Sequence, residues 1–150
     1  MANYCCATRT NYFRVKDADA FRSFMKTVAA DEGNVSVWEE EDNAGNIVFG
    51  FGCYGSILGT PVYKDGIDED DDCGFDDYDF DEFVNGLSEL VAEDDAIIIL
   101  ESGNEKLRYV TGCALVITST DSEFMEIDVL AAQRASELLK NPSWQTRVCY

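Results

Sequence analysis

Residues 79–118 read DFDEFVNGLSELVAEDDAIIILESGNEKLRYVTGCALVIT, and the change of hydrophobic period within them decides the fold. Phe80, Phe83, Val84, Leu87, Leu90 and Val91 recur at three- and four-residue spacing, the stripe of an amphipathic helix from near Asp79 to near Ala92. Gly86 interrupts its middle, at ~1 kcal/mol of helix propensity. Ala96-Ile97-Ile98-Ile99-Leu100 is then continuously apolar, which predicts a central strand covered on both faces. Ser102-Gly103-Asn104 is turn chemistry leading into a long partner strand over 107–118, with Lys106 and Arg108 steadying nearby acids in a tight hairpin.

A similar unit lies upstream. Asp17 or Asp19 offers an N-cap for a helix to about Ala30, with Phe21, Phe24, Met25 and Val28 on one stripe. Gly33-Asn34 stops it, Val35-Ser36-Val37 is a short strand, Asn43 to Asn46 turns, and 47–53 returns. Shifting by 62 residues superposes Asp17 on Asp79, Phe21 on Phe83, Val37 on Ile99 and Gly50 on Gly112, so 17–53 and 79–115 read as two helix–strand–strand units. Residues 4–15 form a first strand or strand pair, 127–140 a third helix with Leu130, Ala131, Ala135, Leu138 and Leu139 inward, and 146–150 an edge strand. The expectation is a single α+β domain over 1–150. An antiparallel or mixed sheet of five or six strands carries two or three helices, and 56–78 form a loop.

That loop is the most unusual part of the chain. Asp65 to Glu82 reads DGIDEDDDCGFDDYDFDE, with eleven carboxylates in eighteen residues and no base. From residue 27 to 105 there are 23 acids against the single base Lys64, while the two ends hold seven acids and ten bases. The formal charge of −19 is therefore a middle of −22 between ends that sum to +3. With 46% hydrophobic and 12% aromatic residues the composition is that of a folded domain. No apolar run of ~18 residues and no secretory h-region is visible, so a cytosolic protein is expected. The six cysteines are scattered, with no C-x-x-C pair, and read as reduced thiols.

Enzymatic chemistry has little to stand on. Histidine is absent, which removes the commonest general base and metal ligand. No nucleophile elbow, P-loop or dinucleotide fingerprint occurs. Asp68-x-Asp70-x-Asp72 starts like a calcium loop, but Cys73 stands where glycine is required and Asp79 where glutamate closes the loop. Weak Ca²⁺ or Mg²⁺ association is expected; no cofactor is.

The acids suit an electrostatic role. Carboxylates at helical i, i+3, i+4 spacing, or alternating along a strand, lie ~5–7 Å apart, close to the phosphate spacing along one DNA strand. Asp79, Glu82, Glu89 and Glu93 make such a row on the second helix. Glu39, Glu41 and Glu101 extend it from strand ends, and Asp68, Glu69, Asp70, Asp71, Asp72, Asp76 and Asp77 thicken it. In this respect the chain resembles the acidic DNA-mimic inhibitors of phages and mobile elements, of anti-CRISPR and anti-restriction type. The likeness is of class and composition over 31–105 and carries no residue-by-residue motif. It implies a non-enzymatic inhibitor that occupies the basic groove of a nucleic-acid-binding complex and binds neither nucleic acid nor membrane itself. The other expectation is a divalent-cation-binding or acidic protein-interaction adaptor domain.

Overall fold

The computed structural model describes residues 3–62 and 77–146. Its strands are β1 (Cys5–Thr10), β2 (Ala29–Glu41), β3 (Ile47–Val62), β4 (Asp77–Asp79), β5 (Ile97–Glu105), β6 (Tyr109–Ile117) and β7 (Ser122–Glu126). The helices are α1 (Ala18–Met25), α2 (Phe80–Leu90) and α3 (Ile127–Leu138). The strands make one antiparallel sheet in the order β2-β3-β1-β5-β6-β7, with β4 added to the end of β3. The α+β architecture is the one the sequence predicts, with seven strands in place of five or six.

Register divides the sheet into two faces. Phe49 and Phe51 of β3, Thr8 and Thr10 of β1, and Ile97 and Ile99 of β5 point to the side where α1 and α2 pack. Phe21 and Met25 from α1 and Phe83 and Leu87 from α2 close over them, and Phe13, Val91 and Ile117 complete a buried core. Phe13 meets Phe21 and Phe51 edge to face, and Phe51 meets Phe83 in the same way, with centroids 5.5 Å apart for Phe13–Phe21 and 6.2 Å for Phe51–Phe83. That arrangement suits the ring quadrupoles and adds ~0.5–1.5 kcal/mol per pair beyond burial. The buried hydroxyls are satisfied: Thr8 donates to the Gly55 carbonyl at 2.9 Å, and Thr10 accepts from the Phe51 N–H at 3.0 Å. Asn11 extends the β1–β5 pairing past the strand end. Its side chain accepts from the Ile98 N–H at 2.7 Å and donates to the Ala96 carbonyl at 3.0 Å.

Several boundaries differ from the sequence reading. The first helix ends at Met25 and not Ala30, because β2 begins at Ala29 and pairs with the far end of β3. Gly33, expected to stop a helix, sits with φ +68° inside β2, where the pairing register shifts. The strand expected over 47–53 continues to Val62, so residues 56–62 are strand and not loop. Its glycines allow close approach: a Cβ on Gly52 would stand 2.6 Å from the Thr8 carbonyl oxygen. Residues 102–104 lie within β5, and the turn falls at 106–108 with Lys106 at φ +51°. Arg108 lies over the Tyr109 ring at 5.5 Å, and among the described residues no ion pair joins Lys106 or Arg108 to an acid.

Two corrections concern exposure. The 96–100 strand is central in the sheet but covered on one face: Ile97 and Ile99 are buried while Leu100 is 54% exposed. In α3 no residue is buried, and Leu130, Leu138 and Leu139, expected inward, are all exposed. Strand β7 precedes this helix and was not foreseen; its SEFME sequence has only one clear apolar pair. In α2, Phe83, Leu87 and Val91 are buried as expected, whereas Phe80 is largely exposed and only leans on Phe83. The edge strand expected over 146–150 falls almost wholly outside the described residues.

Candidate acidic interface

Strand β4 roots the acidic run. It pairs antiparallel with the end of β3, Thr60 with Asp79, Pro61 with Tyr78 and Val62 with Asp77. Val62 and Asp77, the residues on either side of 63–76, are therefore directly paired. Asp68, Glu69, Asp70, Asp71, Asp72 and Asp76 lie outside the described residues. Gly59 sits beside this junction with φ +118°, and a Cβ there would come 2.3 Å from the Asp79 carbonyl oxygen. Only glycine lets β3 pass this close to the start of α2.

Asp79 ends β4 and caps α2, its Oδ1 accepting from the Glu82 N–H at 3.0 Å. Asp81 and Glu82 follow in the first turn, where the helix dipole favours negative charge. Asp77, Asp79, Asp81 and Glu82 thus place four carboxylates on one corner of the molecule. Burying Phe83 and Leu87 turns the opposite side of α2 outward. Glu82 and Glu89, seven residues and ~10 Å apart along the axis, line a shallow groove of about 430 Å³ with Phe24 of α1 and Thr60 of β3. Glu89 opposes the dipole, since it lies in the last turn of a helix with no basic residue there. Glu93, exposed, follows the helix.

Other acids are compensated locally. Glu39 of β2 faces α1 and takes a two-pronged hydrogen bond from Arg22, with Nη2 at 3.1 Å from Oε2. Arg22 also holds Asp19 at 2.9 Å. Hydrogen bonding to Arg22 lowers the Glu39 pKa and, reciprocally, raises that of Arg22. Arg14 bridges Asp94 at 3.0 Å and Asp95 at 3.6 Å, and this pairing lowers the Asp94 pKa. Asp42 accepts from the Asn46 and Ala44 N–H groups at 2.9 Å each, closing the β2–β3 turn; its pKa is lowered first by the Asn46 backbone bond.

The structure therefore splits the sequence-predicted row. Asp77, Asp79, Glu82 and Glu89 share the β4–α2 corner and one helix face. Glu39 and Glu41 belong to the β2–β3 hairpin: Glu41 pairs with Ile47 and Asp77 with Val62, fifteen residues apart on β3, a path of up to ~50 Å. Sequence reasoning also overlooked Asp81 as a member of the corner. Its position two residues after the capping Asp79 was the available signal.

Cys5, Cys6, Cys53 and Cys113 are free thiols, and burial raises the pKa of Cys6, Cys53 and Cys113. Among the described residues no group of three or more cysteine or carboxylate side chains is placed to hold a metal ion. Nor is any described helix long and apolar enough to cross a membrane. The chain matches no family model, no curated protein and no solved structure.

Proposed function

We propose that the protein is a non-enzymatic, cytosolic inhibitor that presents its acidic corner in place of DNA phosphates and occupies the basic groove of a CRISPR or restriction-type complex. The observation that carries this reading is the rooting of the acidic run. Residues 63–76 hold seven acids and one base in the sequence, and the residues that bound them, Val62 and Asp77, are paired beside Asp79, Asp81 and Glu82. Asp77, Asp79, Asp81 and Glu82 concentrate charge at one end of α2, and Glu89 continues it along the outer side. Clustered like charges cost folding free energy through self-repulsion, and the cost is recovered when a cationic partner docks. Glu89, set against the helix dipole, is a local electrostatic fault that gains a purpose in such a surface.

A DNA-binding protein that neutralises ~6–10 phosphates loses ~10³–10⁵ in affinity between about 50 and 200 mM salt. A surface that imitates those phosphates inherits the same dependence. The test is inhibition of DNA cleavage by CRISPR and restriction nucleases, with wild-type protein and with Asp70, Asp71, Asp72, Asp76 and Asp77 changed to Asn. Inhibition that fades with salt and disappears in the neutralised variant supports the reading. Inhibition indifferent to both, or none at all, refutes it.

A further inference from the structure

Among the described residues, α3 is the one helix that reaches the face of the sheet turned away from α1 and α2, and it meets that face only around Leu100, Gly112, Ala114 and Met125. On β1, β5, β6 and β7 the register directs only two charged side chains to that side, Arg9 and Glu123, which sum to zero in a chain of −19. Arg9 is stacked over Trp38 of β2 at 4.7 Å. Where α3 steps over the sheet, Leu100, Gly112, Ala114, Met125, Ile127 and Leu130 line an apolar groove of about 360 Å³. Beyond the groove α3 leaves Leu138 69% exposed. An apolar face whose strands carry no net charge, on so acidic a chain, marks an interaction surface.

We propose that a second copy of this chain covers this face, two copies meeting face to face with the α3 leucines of each filling the groove of the other. Charge selects the occupant. Two chains of −19 repel through every surface that carries their acids, and here the strand charges cancel while α3 adds Asp128, Arg134 and Glu137, a net −1, with the acidic corners turned away. Area agrees. Four strands at ~4.8 Å and about five residues at ~3.3 Å give a footprint of ~320 Å², and α3 adds ~18 Å by ~10 Å. Two such faces remove ~1,000 Å² in total, the size at which a specific interface becomes sustainable. The residual repulsion between the bodies is long-ranged and therefore screened by salt. Dimerisation should strengthen as salt rises, opposite to docking through the acidic corner, so the two ideas fail separately.

The experiment is sedimentation equilibrium of the full chain at about 0.05 and about 1 M salt, where the Debye length falls to ~3 Å. The wild type should reach twice its 16.7 kDa chain mass at high salt and dissociate at least tenfold more readily at low salt. Leu100→Asp with Leu130→Asp should be monomeric at both salts while its circular dichroism is unchanged, since both side chains are already exposed. Ala7→Asp, an exposed small residue on the same face, is the second variant should the first fold poorly. A wild-type chain that stays monomeric at high salt overturns the proposal, as does a dimer that survives these aspartates.

Discussion

One sheet carries two faces that were built to different ends. Toward α1 and α2 the side chains of Phe13, Phe21, Phe49, Phe51 and Phe83 are fully buried, and the polar groups among them are hydrogen-bonded. On the other side Leu100 and Leu130 stand half in solvent, and α3 contributes no buried residue at all. Hydrophobicity alone does not separate the two. What separates them is how far the helices of this chain lie on top: α1 and α2 seal one face, whereas α3 reaches the other only around Gly112, Ala114 and Met125 and leaves Leu100 half exposed.

The largest effect expected from this contrast comes at the core. Phe51→Ala should lower unfolding free energy by ~3–5 kcal/mol, whereas Leu100→Ala, on the adjoining strand pair but half exposed, should cost less than ~1 kcal/mol in the isolated chain. Urea denaturation of both variants checks the ratio; equal losses would mean that the second face is also covered. Next comes Asn11→Ala, which strands the Ile98 N–H and the Ala96 carbonyl and should cost ~1–3 kcal/mol. Gly52→Ala should destabilise by a similar ~1–3 kcal/mol, since its Cβ must displace the Thr8 carbonyl or the Trp38 ring. A crosslinked or shifted β1–β3 register would show as lost amide-exchange protection at Phe51.

The smallest effect is the pH dependence of the compensated acids. Glu39, Asp42 and Asp94 have folded-state pKa values below their unfolded ones, so their contribution is present above the ordinary carboxylate range, ~4, and is lost as pH falls through the depressed folded values. Relief of repulsion among the other acids acts in the opposite direction over the same range. Arg22→Gln isolates the first effect: the difference in urea midpoint between wild type and variant should shrink on acidification. A difference that stays constant from pH 7 to pH 3 would show that Arg22 does not hold Glu39.

Legibility followed locality. The period change from Phe80 to Leu100 located α2 and β5, and the choice of Asp17 or Asp19 as a cap located the start of α1 to within two residues, because these signals lie within a few residues. The length of β3 was hidden because Gly52, Gly55 and Gly59 look like loop residues, and only the distant neighbours Thr8, Glu32 and Asp79 explain them. The exposure of α3 was hidden for the complementary reason: its leucines have helical spacing, and spacing does not say whether a sheet lies beneath. Among the acids, the corner at 77–82 could be read from composition. The neutralising of Glu39 by Arg22 and of Asp94 by Arg14 could not, since those partners are 17 and 80 residues away along the chain.

The most direct test is the inhibition constant against DNA cleavage by a susceptible CRISPR or restriction nuclease, measured at about 50 and 200 mM salt for the wild type and for Asp79→Asn/Glu82→Gln/Glu89→Gln. Asparagine retains the helix cap, so the variant removes charge and leaves α2 intact. The account predicts a wild-type constant that weakens at least tenfold across that salt range, and a variant weaker than the wild type at both salts with a shallower salt dependence. A variant that inhibits as well as the wild type at both salts, or a wild-type constant that does not change with salt, would contradict it.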